Sequence, residues 1–219
     1  MLFDVINGNY SFLELLLSII SYILLVLVML PVHELAHAWV ATKLGDDTPR
    51  WHGRLTANPF AHLDLWGTLM LVLFGFGYAK PVPINSRNFR KPRRDMALVA
   101  LAGPLSNLLM ATVMLLLFQL LKLLPFASGV VLMIGATLVN IVVPINIGLA
   151  VFNLLPIPPL DGSRIFSAFL PPRWAFWMMQ HEHQIRILLI VLLATGALST
   201  PITLVSRYVY QILLKVCGF

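Results

Sequence analysis

The stretch "MLPVHELAHAWVA", residues 29–41, decides what kind of chain this is. It overlaps the end of an uncharged run, residues 15–32, about as long as a helix needs to be to cross a bilayer. His33, Glu34 and His37 follow directly. An Asp, Lys or Arg at the centre of a membrane helix costs about 2.5–3.5 kcal/mol on insertion scales. Two histidines and a glutamate beside such a run therefore call for a compensating role. Residues i and i+4 share a helical face, so His33 and His37 can hold one metal ion between them. Glu34 is turned about a quarter of the circumference away and can address a water at that ion without being a ligand.

H-E-x-x-H on a helix is the pattern of a zinc site with the glutamate as general base of a metalloprotease. The bland alternative is a pair of histidines bonded to neighbouring helices. Catalytic zinc takes three protein ligands and a water, so the motif leaves one ligand to find. The candidates are His52, His62, Asp64, Asp161 and the His181-Glu182-His183 triplet. His181 and His183 are two apart, point apart on a helix, and read as a polar connector. His52, His62 and Asp64 lie in the loop after the first helix, where surface positions are expected. Asp161 is favoured. It ends "NLLPIPPLDG", residues 153–162, after a long uncharged run. Pro156, Pro158 and Pro159 remove backbone donors and Gly162 allows a turn, so one carboxylate is fixed at a membrane edge.

Composition sets the class. Of 219 residues, 59% are hydrophobic and 11% charged, against about 25% charged in a soluble domain. The chain reads as an all-α integral membrane protein in a single domain, residues 1–219. The expected catalytic core is about 12–172, with C-terminal helices over about 184–217. Five or six hydrophobic segments are expected. Residues 65–79 are short for a span, which favours a re-entrant segment over a crossing one. A short extended, β-like loop is expected near the site at residues 79–85. The formal net charge of +6 is clustered: residues 80–94 carry six basic side chains and no acid. That places this loop on the cytoplasmic side of a multi-pass cell-membrane protein, with the active site facing the cytoplasm. The same basic run is expected to meet anionic lipid headgroups, and nucleic acid is not an expected partner. The single cysteine, Cys217, excludes an internal disulfide. The start of the chain has no basic n-region, so the first span is expected to be retained.

"HELAH" in a first hydrophobic helix, paired with "NLLPIPPLDG" in a later one, resembles the site-2 protease family, peptidase family M50. "GRLTANPFAHLD", "AKPVPIN" and "ALAGPLSN" resemble its small prokaryotic members without a PDZ or CBS domain. The resemblance covers about residues 30–172. It implies a zinc-dependent endopeptidase that cleaves a transmembrane protein substrate within or near the bilayer, with one zinc per chain. It implies His33, His37 and Asp161 as ligands and Glu34 as base. By similarity, Asn153 would hydrogen-bond the scissile carbonyl or its oxyanion. A left-handed helix cap is the structural alternative for Asn153. Gly103 and Asn107, in the family's G-x-x-x-N element, are expected to support helix packing, with a bond to the metal helix or a held site water as the alternative for Asn107. In "AKPVPIN", Pro81, Pro83 and Asn85 are expected substrate contacts, because an extended segment can capture an unwound substrate by edge pairing. The structural alternative is a stiff connecting loop. Regulation would come from the membrane core or from a membrane partner.

Two non-protease readings compete. A metal-binding or chaperone-like scaffold of the same fold would have no use for Glu34. A metal transporter would spread polar groups along its spans, whereas these converge at one end.

Overall fold

The computed structural model describes residues 23–64, 79–125 and 128–219, with residues 16, 19, 20, 66, 67, 69 and 70. All regular structure among them is helical, and none of them forms a strand. Helix α1, Leu25–Lys43, carries the histidine motif. Its first five residues, Leu25–Met29, are wound as a π-helix directly ahead of Pro31. A proline lacks the N–H for the i−4 bond, and local widening is a common way to absorb that loss. A four-residue turn of helix follows as α2, Thr48–Trp51.

Helix α3, Pro92–Leu123, has 32 residues, long enough to reach well beyond the hydrocarbon core. It starts earlier than the uncharged run, at Pro92, because proline suits the first helical position and Arg93 and Arg94 can still reach water. Helix α4, Gly129–Asn153, is opened by the Ser128 side chain, which accepts from the Val131 N–H at 3.4 Å. Then come α5, Asp161–Ser167, α6, Pro172–Gln180, α7, Glu182–Ala194, and α8, Ser199–Val216.

Helices α1, α3 and α4 are long and apolar enough to span. Helices α7 and α8 are bent by 80° at a short break and count as a fourth span if taken together. The described residues thus hold three or four candidate spans, while the expected five or six hydrophobic segments also count residues 65–79. Most of the expected re-entrant segment, 65–79, and most of the chain before residue 23 lie outside the described residues. Residues 79–85 form neither helix nor strand, so the β-like loop is an unladdered connector.

Helix α3 is the centre of the bundle. On one side Ala111 and Leu115 pack with Val139, Val143, Ile147 and Val151 of α4, and α8 covers the same cluster through Ile202, Val209, Leu213 and Leu214. On another side Ala38 and Ala41 of α1 meet a face of α3 containing Ala100 and Gly103, all buried. Without a hydrophobic drive between helices in lipid, small residues gain stability by letting backbones approach closely. The outer faces are apolar: Leu109, Leu117 and Leu120 on α3 and Val130, Met133 and Ile134 on α4 are exposed. This is an integral membrane protein, since such faces would be left against water in a soluble one.

The connectors at the C-terminal end of α1 are tied together. Asp46 is fully buried and accepts from the Thr48 N–H, the Thr48 hydroxyl, the Asn85 N–H and the Asn88 amide. Burial pushes its carboxyl up, but these bonds more than offset that and hold it below the usual carboxylate range.

Candidate metal centre

His33 and His37 stand one turn apart on α1, with ring centroids 4.7 Å apart and planes nearly perpendicular at 84°. Their Nε2 atoms are 3.1 Å apart. Asp161 Oδ2 lies 3.1 Å from His33 Nε2 and 3.2 Å from His37 Nε2. The carboxylate comes from the loop after α4, which turns through bonds from Ile157 N–H to Leu155 O and from Leu160 N–H to Ile157 O. Asp161 is the first residue of α5. A side chain at Gly162 would overlap the carbonyls of Leu154 and Leu155, so glycine is what lets α5 fold back against that turn. Burial raises the Asp161 carboxyl, and the two histidines more than offset this and hold it below the usual range.

The other ring nitrogens are held from α3. His37 Nδ1 donates to the Val99 carbonyl at 2.7 Å, a partner that can only accept. The proton therefore sits on Nδ1, and Nε2 of the neutral ring presents a lone pair to the cluster. His33 Nδ1 faces the Asn107 amide at 3.1 Å, while Asn107 Oδ1 is buried without a partner. Exchanging the amide's O and N, a choice settled by the hydrogen-bond network, gives His33 Nδ1–H its acceptor and removes the orphan. Asn107 thus meets His33 on the metal helix, the bond that the sequence allowed beside a packing role. Gly103 lies under both rings, and a Cβ there would overlap Nε2 of each.

This donor set fits a metal ion. Three acceptor atoms converge, and two imidazole lone pairs at 3.1 Å repel each other unless a cation lies between them. A tetrahedral zinc with bonds of about 2.0–2.1 Å places its ligand atoms about 3.3 Å apart, close to the spacing observed. Among the described residues this is the one group of three or more His, Cys, Asp or Glu able to hold an ion.

Glu34 is half-buried on α1, and its Oε2 accepts from the Val82 N–H at 3.2 Å. Pro81 and Pro83 flank that donor. The Asn85 side chain is occupied locally, accepting from the Arg87 N–H at 3.1 Å. Asn153 is the last residue of α4 and donates to the Leu149 carbonyl at 3.0 Å. No non-glycine residue among those described has positive φ, so Asn153 is not a left-handed cap. The other ligand candidates lie elsewhere. His52 bonds the Thr48 carbonyl, His62 is buried against the Thr56 carbonyl, and Asp64 accepts from the Gly67 N–H. His181 stacks on Trp177, and His183 is exposed. Sequence reasoning missed the Val99 carbonyl, because a backbone acceptor leaves no trace in residue type.

The fold and this cluster together define a helical membrane protein with a His-His-Asp set able to hold a metal ion. The chain belongs to peptidase family M50, whose model matches residues 21–136 and 126–195. A Bacillus subtilis protein named "Putative zinc metalloprotease YwhC" is 42% identical over 191 residues, spanning 84% of this chain and 85% of that one. "Putative zinc metalloprotease Rip2" of Mycolicibacterium smegmatis is 29% identical over 178 residues, 79% of this chain and 66% of that one. A Methanocaldococcus jannaschii protein, also named a "Putative zinc metalloprotease", is 30% identical over 145 residues, 65% of this chain and 66% of that one. No solved structure matches. The site-2 protease resemblance read from the motifs agrees with the family match, and the chain is a metalloprotease by family.

Proposed function

We propose that this chain is a zinc-dependent intramembrane endopeptidase of the H-E-x-x-H type, acting on a transmembrane protein as one domain over residues 1–219. The observation that carries the reading is the convergence of His33, His37 and Asp161 beside Glu34 on a membrane-length helix. His33, His37 and Asp161 would hold one zinc per chain. When bound, zinc supplies Lewis acidity, polarising a carbonyl and lowering the pKa of water to about 7. Glu34 takes the proton from the attacking water and returns it to the amine that leaves as the peptide bond breaks. Asn107 and the Val99 carbonyl keep the two rings in the tautomer that presents Nε2. Asn153 would hold the scissile carbonyl after turning from Leu149. The 79–85 connector would meet the unwound substrate, with Pro81 and Pro83 giving it no N–H of their own to donate.

Metal analysis and cleavage of a model transmembrane substrate by the purified protein test this. His33→Ala and His37→Ala are expected to lose most metal and all cleavage, and Asp161→Ala to bind zinc far more weakly. Full zinc and full activity in Asp161→Ala would remove it as a ligand.

The site would face the cytoplasm of a multi-pass cell-membrane protein, with residues 87–94 on anionic headgroups and a further membrane partner for regulation. Bonds from the Asn85 N–H to Asp46 and from Arg54 to the Lys80 carbonyl support placing the 44–64 and 80–94 loops at one end of the bundle. Cysteines introduced in 50–60, 85–94 and 165–180, in a Cys217→Ser background, are expected to label from the cytoplasmic side. Labelling of 50–60 from outside alone would invert this topology.

A further inference from the structure

The connector over residues 79–85 has no regular structure, yet buried charge holds both its ends. At the first end Arg54, 4% exposed, donates to the carbonyls of Ala61, Lys80 and Pro81. The Lys80 N–H donates to the His62 carbonyl at 2.9 Å. At the other end Asp46, 0% exposed, accepts from the Asn85 N–H and the Asn88 amide, each at 2.7 Å. Among the described residues neither Arg54 nor Asp46 forms an ion pair. Both charges are directed at backbone and amide groups of the connectors instead. A buried charge must be satisfied by such bonds, and a planar guanidinium on three carbonyls fixes their relative positions. Between the two anchors, the Val82 N–H reaches Glu34 Oε2.

We propose that Arg54 and Asp46 are positioning residues for hydrolysis: they hold the connector so that the Val82 N–H keeps the Glu34 carboxylate in one orientation. This rests on Glu34 being the general base. The N–H occupies one carboxylate oxygen and leaves the other to take a proton. A glutamate side chain has several rotamers, and a displacement of about 1 Å at a reacting group can lower a rate by about 10²-fold.

The sequence supplies its own probe. Pro81 and Pro83 have no amide hydrogen, so residues 81–84 report only the amides of Val82 and Ile84. Hydrogen exchange, zinc content and steady-state kinetics would be measured on the full chain in detergent. Arg54→Lys keeps the charge but not the planar fork, and Asp46→Asn keeps the shape but loses an acceptor. Both are expected to hold zinc as the wild type does, exchange the Val82 amide at least about ten-fold faster, and lose kcat about 10- to 100-fold with KM little changed. Glu34→Ala should accelerate the same amide with both anchors intact. Val82→Pro, which deletes the donor and leaves Arg54 and Asp46 in place, should reproduce the kcat loss. Slow exchange in both anchor variants, or fast exchange with wild-type kcat, would overturn the proposal while leaving the protease reading intact. A wild-type protein that binds zinc and cleaves nothing would sink both.

Discussion

Glu34→Gln is expected to keep its zinc and its fold while turnover falls by at least about 10²-fold. General-base catalysis contributes about 10²- to 10⁴-fold, and glutamine cannot accept the proton from water at neutral pH. The rest of the centre is indifferent to the change. Glu34 is not in the His33, His37 and Asp161 set, so the ligand atoms remain. The amide of glutamine retains an oxygen for the Val82 N–H, so the connector bond that Glu34 now makes can persist. A neutral amide is also cheaper to desolvate than a carboxylate on a membrane helix. The variant should therefore bind substrate as the wild type does and co-purify with it uncut. Metal analysis, circular dichroism and single-turnover cleavage would be run side by side. Near-normal cleavage with zinc bound would show that Glu34 is not the base, and the mechanism would fail at its central step.

The parts of the centre that sequence made visible are those where residue type conflicts with surroundings. His33, Glu34 and His37 stood out because an apolar helix gives ionisable side chains no ordinary reason to be there. Asp161 stood out because prolines and a glycine frame a lone carboxylate. Arg54 and Asp46 carried no such signal. They sit in a polar loop where a charged residue reads as solvated, and only the folded chain shows both buried and bonded to connectors. The path of the C-terminal apolar segments is illegible for a related reason. Hydropathy measures a segment's length and apolarity but not its path, and α7 and α8, bent by 80° at a short break, pass as one span only when taken together. Residue type alone allows Asn153 a left-handed cap, but its side chain has a helical carbonyl within reach at Leu149 and needs no such conformation.

Gly103→Ala is expected to lower bound zinc well below one per chain and to cut cleavage by at least about 10²-fold. Propensity alone points the other way. Alanine is favoured over glycine inside a helix by about 1 kcal/mol, and position 103 is interior to α3. Here the new methyl would overlap His33 Nε2 and His37 Nε2, the atoms that point at the metal position. The rings have no easy retreat. Val99 holds His37 from the same helix that carries Gly103, Asn107 holds His33, and the two rings pack edge to face. Either the α1–α3 seam opens or the rings rotate off their bonds, and overpacking of this kind costs about 1–3 kcal/mol. That cost matches or exceeds the propensity gain, and it falls on the ligand geometry rather than on the helix. Circular dichroism should therefore stay near wild type while metal and activity are lost. Gly148→Ala supplies the control: position 148 is interior to α4, and a Cβ there meets nothing within 4 Å. It should be neutral or stabilising, with zinc and rate unchanged. If Gly103→Ala behaved like Gly148→Ala, the histidine rings could not lie against α3 as they do here, and the third ligand would have to reach them by another path.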